Sequence, residues 1–379
     1  MRKIHCLNKI SHVGLKALPI DYSITENLDD ADAVLVRSFN MLEMDMPAKL
    51  LAIARAGAGV NNIPLEKCAK EGIVVFNTPG ANANAVKELT IAAMLLACRD
   101  IKGSMKWVDD NKDDELINKS MEKAKSAFAG TEILGKTLGI IGLGAIGALV
   151  ANAAGALGMH VVAVEPSAST VERNKHLLPN DIELVDYDTL YRKSDFISVH
   201  VPLLDATKGM LNAEAFNKMK DGVVIINCAR DAIVNDDDIA KALEEGKVHK
   251  YVTDFPNHKT ANMKGVIAIS HLGASTEEAE DNCAFMAAKQ TVDFLNNGNI
   301  INSVNFPNLD LGARNGVRLL VLYEGDKTKE IENIVSSNTT IKKMVSGVKG
   351  NFGASLFELD KAISPALFTG ISIKSRVIE

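Results

Sequence analysis

Short apolar runs alternate with amphipathic stretches along the first hundred residues. Residues 3–7, 33–36, 51–55 and 74–76 are compact apolar runs of strand length. Residues 65–70 and 86–99 instead place apolar positions three and four apart, which predicts helices. This rhythm predicts parallel strands joined by crossover helices. It breaks at residues 102–125, a charge-rich segment containing Asp109-Asp110-Asn111-Lys112-Asp113-Asp114-Glu115 that reads as a solvated loop or helix face. The alternation then resumes, with a strand over 137–141, a helix over 145–157 stopped by Gly158, and strands over 161–165, 196–200, 223–227, 252–254 and 266–270. A helix over 276–296 closes the series. The expectation is a doubly wound α/β sheet preceded by a smaller α/β unit.

The pattern changes again after residue 302. Residues 318–323, 340–348, 352–360 and 371–378 read as strands, and 328–336 and 365–369 as helices, in the βαββαβ order of a ferredoxin-like module. Residues 312–379 carry ten Lys and Arg against seven Asp and Glu, in a chain whose net charge is −6.

With 379 residues, 47% of them apolar, the chain can bury its cores without disulfides or metal. Its five cysteines (Cys6, Cys68, Cys98, Cys228, Cys283) are scattered and form no CxxC pair, which argues for a reducing compartment and against a zinc module. No metal site is expected. The negative net charge without a basic block argues against a nucleic-acid partner. The longest weakly polar run, residues 138–151, is too short to cross a membrane, and no apolar stretch follows the basic residues near Met1. A cytoplasmic protein with no membrane partner is expected.

Three constellations carry chemistry. Gly142-Leu143-Gly144-Ala145-Ile146-Gly147 follows a strand and opens a helix, and Glu165 ends the next strand. In that setting the glycines let backbone N–H groups approach a pyrophosphate, while an acid at Glu165 accepts from ribose hydroxyls and repels a 2′-phosphate. NAD is therefore favoured over NADP. Arg230, in Asn227-Cys228-Ala229-Arg230, follows a buried strand, where ligands of such sheets bind. It can clamp a carboxylate, or equally pair with Asp236 or Asp237 or cap a helix end. His271 also follows a strand and can exchange a proton near neutral pH, or cap the helix that starts near Ser275.

Taken in order, Gly142–Gly147, His200-Val201-Pro202-Leu203, Asn227–Arg230, Asp254 and His271-Leu272-Gly273-Ala274-Ser275-Thr276 resemble the signature of D-isomer-specific 2-hydroxyacid dehydrogenases. Val36-Arg37-Ser38, residues 55–62 and Asn77-Thr78-Pro79-Gly80 are similar to the D-3-phosphoglycerate dehydrogenase subfamily, and the tail resembles a degenerate ACT domain. The resemblance implies a flavodoxin-like substrate domain (residues 1–98 and 274–302), a Rossmann-type NAD domain inserted in it (99–273), and an ACT-like domain (303–379). It implies that Arg230 binds substrate and His271 is the acid/base. Gly142, Gly144, Ala145, Ile146, Gly147, Glu165, Val201, Pro202, Cys228, Ala229, Asp254, Gly273 and Ala274 would line the cofactor. Arg37, Ser38, Arg55, Ala58 and Gly59 would bind the substrate's phosphate or carboxylate. The implied reaction oxidises 3-phosphoglycerate to 3-phosphohydroxypyruvate with NAD, in a homodimer or larger homo-oligomer. The alternatives are another D-2-hydroxy acid as substrate, or an NAD(H)-binding regulator.

Three positions depart from the family. Lys259 stands where relatives place the glutamate that pairs with the histidine, Asp231-Ala232 where two glycines are usual, and Ser270 where proline is common. A cation beside His271 would lower its pKa. Another carboxylate (Glu277, Glu278 or Asp231) replaces the glutamate, His271 works unpaired, or turnover has been lost. In the tail, the turn Tyr323-Glu324-Gly325-Asp326-Lys327 is abbreviated, so weak or no serine inhibition is expected.

Overall fold

A computed structural model describes all residues 1–379, which divide into two compact units. The first comprises Met1–Asn82 and Glu277–Glu379, the second Ala83–Thr276. In the first, β1 (Arg2–Cys6), β2 (Tyr22–Thr25), β3 (Ala33–Val36), β4 (Ala52–Arg55) and β5 (Val74–Phe76) form a parallel sheet in the order β2-β1-β3-β4-β5. This is the flavodoxin-like order. β3 and β5 are buried throughout, which is why they read as unbroken apolar runs. The edge strand β2, Tyr-Ser-Ile-Thr, is too polar to stand out in the sequence.

In the second unit, β6 (Thr137–Ile141), β7 (His160–Val164), β8 (Glu183–Leu184), β9 (Phe196–Val199), β10 (Val223–Asn227), β11 (Val248–Thr253) and β12 (Val266–Ala268) form a seven-stranded parallel sheet. Its order, β12-β11-β10-β9-β6-β7-β8, is that of a dinucleotide-binding fold with the switch point between β6 and β9. β11 starts four residues before the predicted strand, because its first half alternates buried Val248 with exposed His249 and breaks the apolar run. The helix Ala83–Cys98 also belongs to this unit, although the expected boundary put residues 1–98 together. Its small buried face, Ala93, Met94 and Ala97, packs into the core formed by Leu138, Val150, Ala151 and Ala154. The charged stretch after it folds into two helices, Ile101–Asp110 and Ile117–Ala124, neither of which buries a residue.

The tail completes the first unit. β13 (Val317–Glu324), β14 (Ile341–Lys349), β15 (Phe352–Leu359) and β16 (Lys374–Ile378) form an antiparallel sheet in the order β14-β15-β13-β16, as a ferredoxin-like module requires. The second helix of that pattern is only a 3-10 turn, Pro365–Phe368. Side chains alternate across the sheet. Leu319, Val321, Tyr323, Phe357 and Leu359 pack on Ile331 and Val335 of the helix Thr328–Asn338. Leu320, Leu322, Leu356 and Ile378 instead join the core of Phe294, Leu295, Ile300 and the N-terminal sheet. Arg318, fully buried, fastens this junction. Its guanidinium donates to Glu358 (3.0 Å) and to the carbonyls of Asn297 (2.9 Å), Leu311 (3.1 Å), Gly312 (3.0 Å) and Ala313 (3.2 Å).

Candidate active site

The glycine-rich turn joins β6 to the helix Ala145–Ala156. Gly142 has φ +94°, and a Cβ there would meet the His200 carbonyl oxygen at 2.8 Å. A Cβ on Gly147 would lie 2.0 Å from the Gly142 carbonyl oxygen, so only glycine lets the helix rest on the turn. Gly144 differs. Its backbone is ordinary (φ −61°, ψ −172°) and nothing lies within 4 Å of its Cβ position. The open space beside it, next to the unpaired first-turn N–H groups at Ala145 and Ile146, fits a pyrophosphate.

Glu165 follows β7 and accepts N–H bonds from Leu143 of the turn (2.9 Å) and from Ser167 (2.9 Å). Each carboxylate oxygen keeps a lone pair for a ribose hydroxyl. Asn174, which the sequence did not single out, donates to the Leu143 carbonyl (2.8 Å) and holds the same turn. Val201 and Pro202 follow His200 at the end of β9. His200 pairs with the Ser198 hydroxyl (2.8 Å), and burial pushes its imidazole down to about 4.

At the end of β10, Asn227 folds the next loop. Its Oδ1 accepts from the N–H groups of Ala229 (3.1 Å) and Arg230 (3.3 Å), and its Nδ2 donates to the Arg230 carbonyl (2.8 Å). Arg230 is half-buried and donates to the Ala229 carbonyl (2.6 Å). It does not pair with Asp236 or Asp237, whose carboxylates accept from Asn257 (2.8 Å) and Lys259 (2.9 Å). Cys228 is buried, which pushes its thiol up to about 12 and keeps it protonated.

Asp254 is 1% exposed. Its Oδ2 accepts the Gly273 N–H (2.9 Å) and its carbonyl accepts the His271 N–H (2.8 Å), while Oδ1 has no partner. Burial raises its carboxyl above the usual range, against the Gly273 N–H and the charges of His271 and Arg230. An unpaired buried carboxylate oxygen is costly, and it fits an N–H donor brought in by a bound cofactor. Ala274, half-buried, follows Gly273.

His271 sits in the left-handed region (φ +43°), which few residues other than glycine adopt, and it is exposed. The ring lies 4.3 Å from that of Phe255, centroid to centroid, and Arg230 Cζ lies 5.2 Å from the same Phe255 centroid. The two candidate catalytic side chains therefore converge on Phe255, a residue the sequence reading passed over. The hydrogen bonds of His271 run through its main chain, so Asp231 does not partner its ring; Glu277 and Glu278 belong to the other unit. Lys259 does not stand against His271 either, because its ammonium is drawn to Asp237 on the helix Asp236–Glu244.

In the first unit, Arg37 follows β3 and Arg55 ends β4, at the carboxyl ends where ligands of such sheets bind. Asn8 Oδ1 accepts from the N–H groups of Arg37 (3.1 Å), Ser38 (3.2 Å) and Phe39 (2.9 Å) and so shapes their loop. Arg37 pairs with Glu280 (2.7 Å), and Arg55 Nε donates to the Arg37 carbonyl (3.1 Å). Asn77 donates to the carbonyl of exposed Ala58 (2.7 Å), next to half-buried Gly59. Asn8 and Glu280 were not foreseen, since neither belongs to a motif.

Residues 91–273 match the family described as D-isomer specific 2-hydroxyacid dehydrogenase, NAD binding domain. The hydroxypyruvate reductase of Thermotoga maritima is 38% identical over 265 residues, which cover 67% of this chain and 81% of that protein. The D-3-phosphoglycerate dehydrogenase of Methanocaldococcus jannaschii is 30% identical over 392 residues, covering 98% of this chain and 71% of that one. The chain spans only 52 to 59% of the length of several other D-3-phosphoglycerate dehydrogenases that it matches. Among solved structures, NAD+-bound 3-phosphoglycerate dehydrogenase of Entamoeba histolytica superposes with a TM-score of 0.62 at 27% identity, covering 80% of this chain and 98% of that one. With the glycine-rich turn, Glu165, Arg230 and His271 placed as described, the chain belongs to the D-isomer specific 2-hydroxyacid dehydrogenases, a family of NAD-dependent oxidoreductases.

Proposed function

We propose that the protein oxidises the C2 hydroxyl of 3-phosphoglycerate to the ketone of 3-phosphohydroxypyruvate, the entry step of L-serine biosynthesis. The observation that carries this reading is the convergence of Arg230 and His271 on one side of the NAD domain, in a chain similar to a D-3-phosphoglycerate dehydrogenase over 98% of its length. NAD, when bound, supplies the hydride acceptor. Arg230 holds the substrate carboxylate through two parallel hydrogen bonds and so fixes C2. His271 takes the proton from the C2 hydroxyl oxygen as the hydride leaves, and returns it in the reverse direction. Asp254 sets the His271 main chain, and Glu165 disfavours a 2′-phosphate on the cofactor. Arg37, Arg55 and the neighbouring Ser38 loop take the substrate phosphate, for which two guanidinium groups suit a dianion.

The reductase of Thermotoga maritima favours a second reading, hydroxypyruvate as the working substrate. Initial rates of NADH oxidation with phosphohydroxypyruvate and with hydroxypyruvate decide between them. A charge-assisted phosphate contact contributes about 1.5–3 kcal/mol, so kcat/KM is expected to be about 10- to 150-fold higher for the phosphorylated substrate. The reverse ratio assigns the protein to hydroxypyruvate, and NADH binding without turnover of either makes it a non-catalytic NAD(H)-binding protein. We also infer a homo-oligomer. Exposed Met105, Val108 and Met121 on the two unburied helices, with Leu116 at the start of the second, support it. Five free cysteines support a reducing, cytoplasmic setting.

A further inference from the structure

We propose that Phe255 is the positioning residue of this site: its ring holds Arg230 and His271 in register and its face stabilises the protonated imidazole, the task a paired carboxylate would otherwise perform. The inference rests on the catalytic reading of those two residues. Within this unit no carboxylate hydrogen-bonds the His271 ring. What the ring does meet is Phe255, at 4.3 Å and an interplanar angle of 43°, with the Arg230 guanidinium 5.2 Å from the same centroid. An aromatic face carries negative potential and attracts guanidinium and imidazolium alike.

Phe255 is itself fixed. It directly follows Asp254, whose carbonyl holds the His271 N–H, and its own N–H donates to Thr253 Oγ1 (3.0 Å). The loop beyond it is pinned by Asn257 to Asp236 (2.8 Å), by Lys259 to Asp237 (2.9 Å) and by the Asn257 N–H to Thr260 Oγ1 (2.9 Å). Ring and imidazole are therefore tied to one another through Asp254, which precedes Phe255 in the chain and holds the His271 N–H. Two charged groups also act on the imidazole. They are Asp254, whose Oδ2 is committed to the Gly273 N–H, and Arg230, both of which are charge-coupled at this site.

In the reductive direction NADH, when bound, would supply the hydride for C2, and His271 gives its proton to the carbonyl oxygen and is left as a neutral imidazole. Activity then depends on the protonated imidazole. Without the aromatic face that form loses a stabilising contact, so the descending limb of the pH profile is expected to move to lower pH.

The test is the pH profile of NADH oxidation with phosphohydroxypyruvate for the parent, Phe255→Leu, Phe255→Tyr and His271→Asn, with NADH affinity and melting temperature measured alongside. Phe255→Leu is expected to move the descending limb down by about 0.5 pH unit and to lower kcat about 3- to 10-fold with NADH affinity unchanged, and Phe255→Tyr to restore both. If the leucine variant does not fold, Phe255→Met, also without a π face, is read the same way. A limb that stays in place with kcat within about twofold of the parent overturns the proposal. Parent-like turnover by His271→Asn instead overturns the catalytic reading beneath it.

Discussion

Replacing Gly144 and Gly147 by alanine, one at a time, separates what the cofactor needs from what the fold needs. At Gly147 the new Cβ would sit 2.0 Å from the Gly142 carbonyl oxygen, so the helix must withdraw from the turn by more than 1 Å. Overpacking of this kind costs about 1–3 kcal/mol, and a domain of this size loses about 2–4 °C of melting temperature per kcal/mol. Gly147→Ala should therefore melt about 2–12 °C lower. Gly144→Ala adds its methyl to open space at a φ that any residue adopts, and should melt with the parent. The same methyl occupies the approach to the pyrophosphate. Loss of one charge-assisted bond, about 1.5–3 kcal/mol, weakens NADH binding about 10- to 150-fold. Thermal melts and a fluorescence titration with NADH read both quantities. Parent-like NADH affinity for Gly144→Ala, or a melt lowered as far as that of Gly147→Ala, would refute the assignment of this turn.

Further expectations concern the arginines, a buried histidine and the tail. Glu280→Gln frees Arg37 from a half-exposed ion pair worth up to about 1 kcal/mol, so KM for phosphohydroxypyruvate should fall about 2- to 5-fold while that for hydroxypyruvate holds; an unchanged or raised phosphorylated-substrate KM speaks against competition for Arg37. Burial lowers the His200 pKa from 6.5 to about 4, so the unfolded chain takes up a proton that the native one refuses. The associated stability, present above pH 6.5, is lost as pH falls toward 4, by up to about 3 kcal/mol, and His200→Asn should flatten the melting curve against pH in that window. Arg318→Ala leaves Glu358 buried without its cation and should destabilise the first unit by about 3–5 kcal/mol in denaturant melts; Arg318→Lys, lacking the planar fork, should not rescue it. Serine at millimolar concentration should leave the rate unchanged, because Asp326 already accepts the Thr328 N–H (3.1 Å) at the tail's first helix.

The NAD turn was legible because its chemistry is local. A strand, a spaced set of glycines and an acid at the end of the next strand are all written within residues 137–165. Arg230 and His271 could be placed at strand ends, but their alternative pairings were settled only by the fold, where Asp236 and Asp237 are occupied by Asn257 and Lys259. Phe255 was invisible as a site residue, since one aromatic after an acid looks like core until two distant loops are seen to meet on it. The helix Ala83–Cys98 misled for a related reason: its periodicity shows that one face is buried, not which sheet buries it. Lys259 misled by counting along the chain, because a loop pinned at Asn257 turns the side chain toward Asp237.

Deuterium transfer follows the hydride itself. Phosphohydroxypyruvate is reduced with NADH deuterated at C4 of the nicotinamide, and the product is analysed for label and configuration. The expected product is D-3-phosphoglycerate carrying one deuterium on C2, formed by the parent and not by His271→Asn. An unlabelled or L-configured product, or label entering only when hydroxypyruvate is supplied, would contradict it.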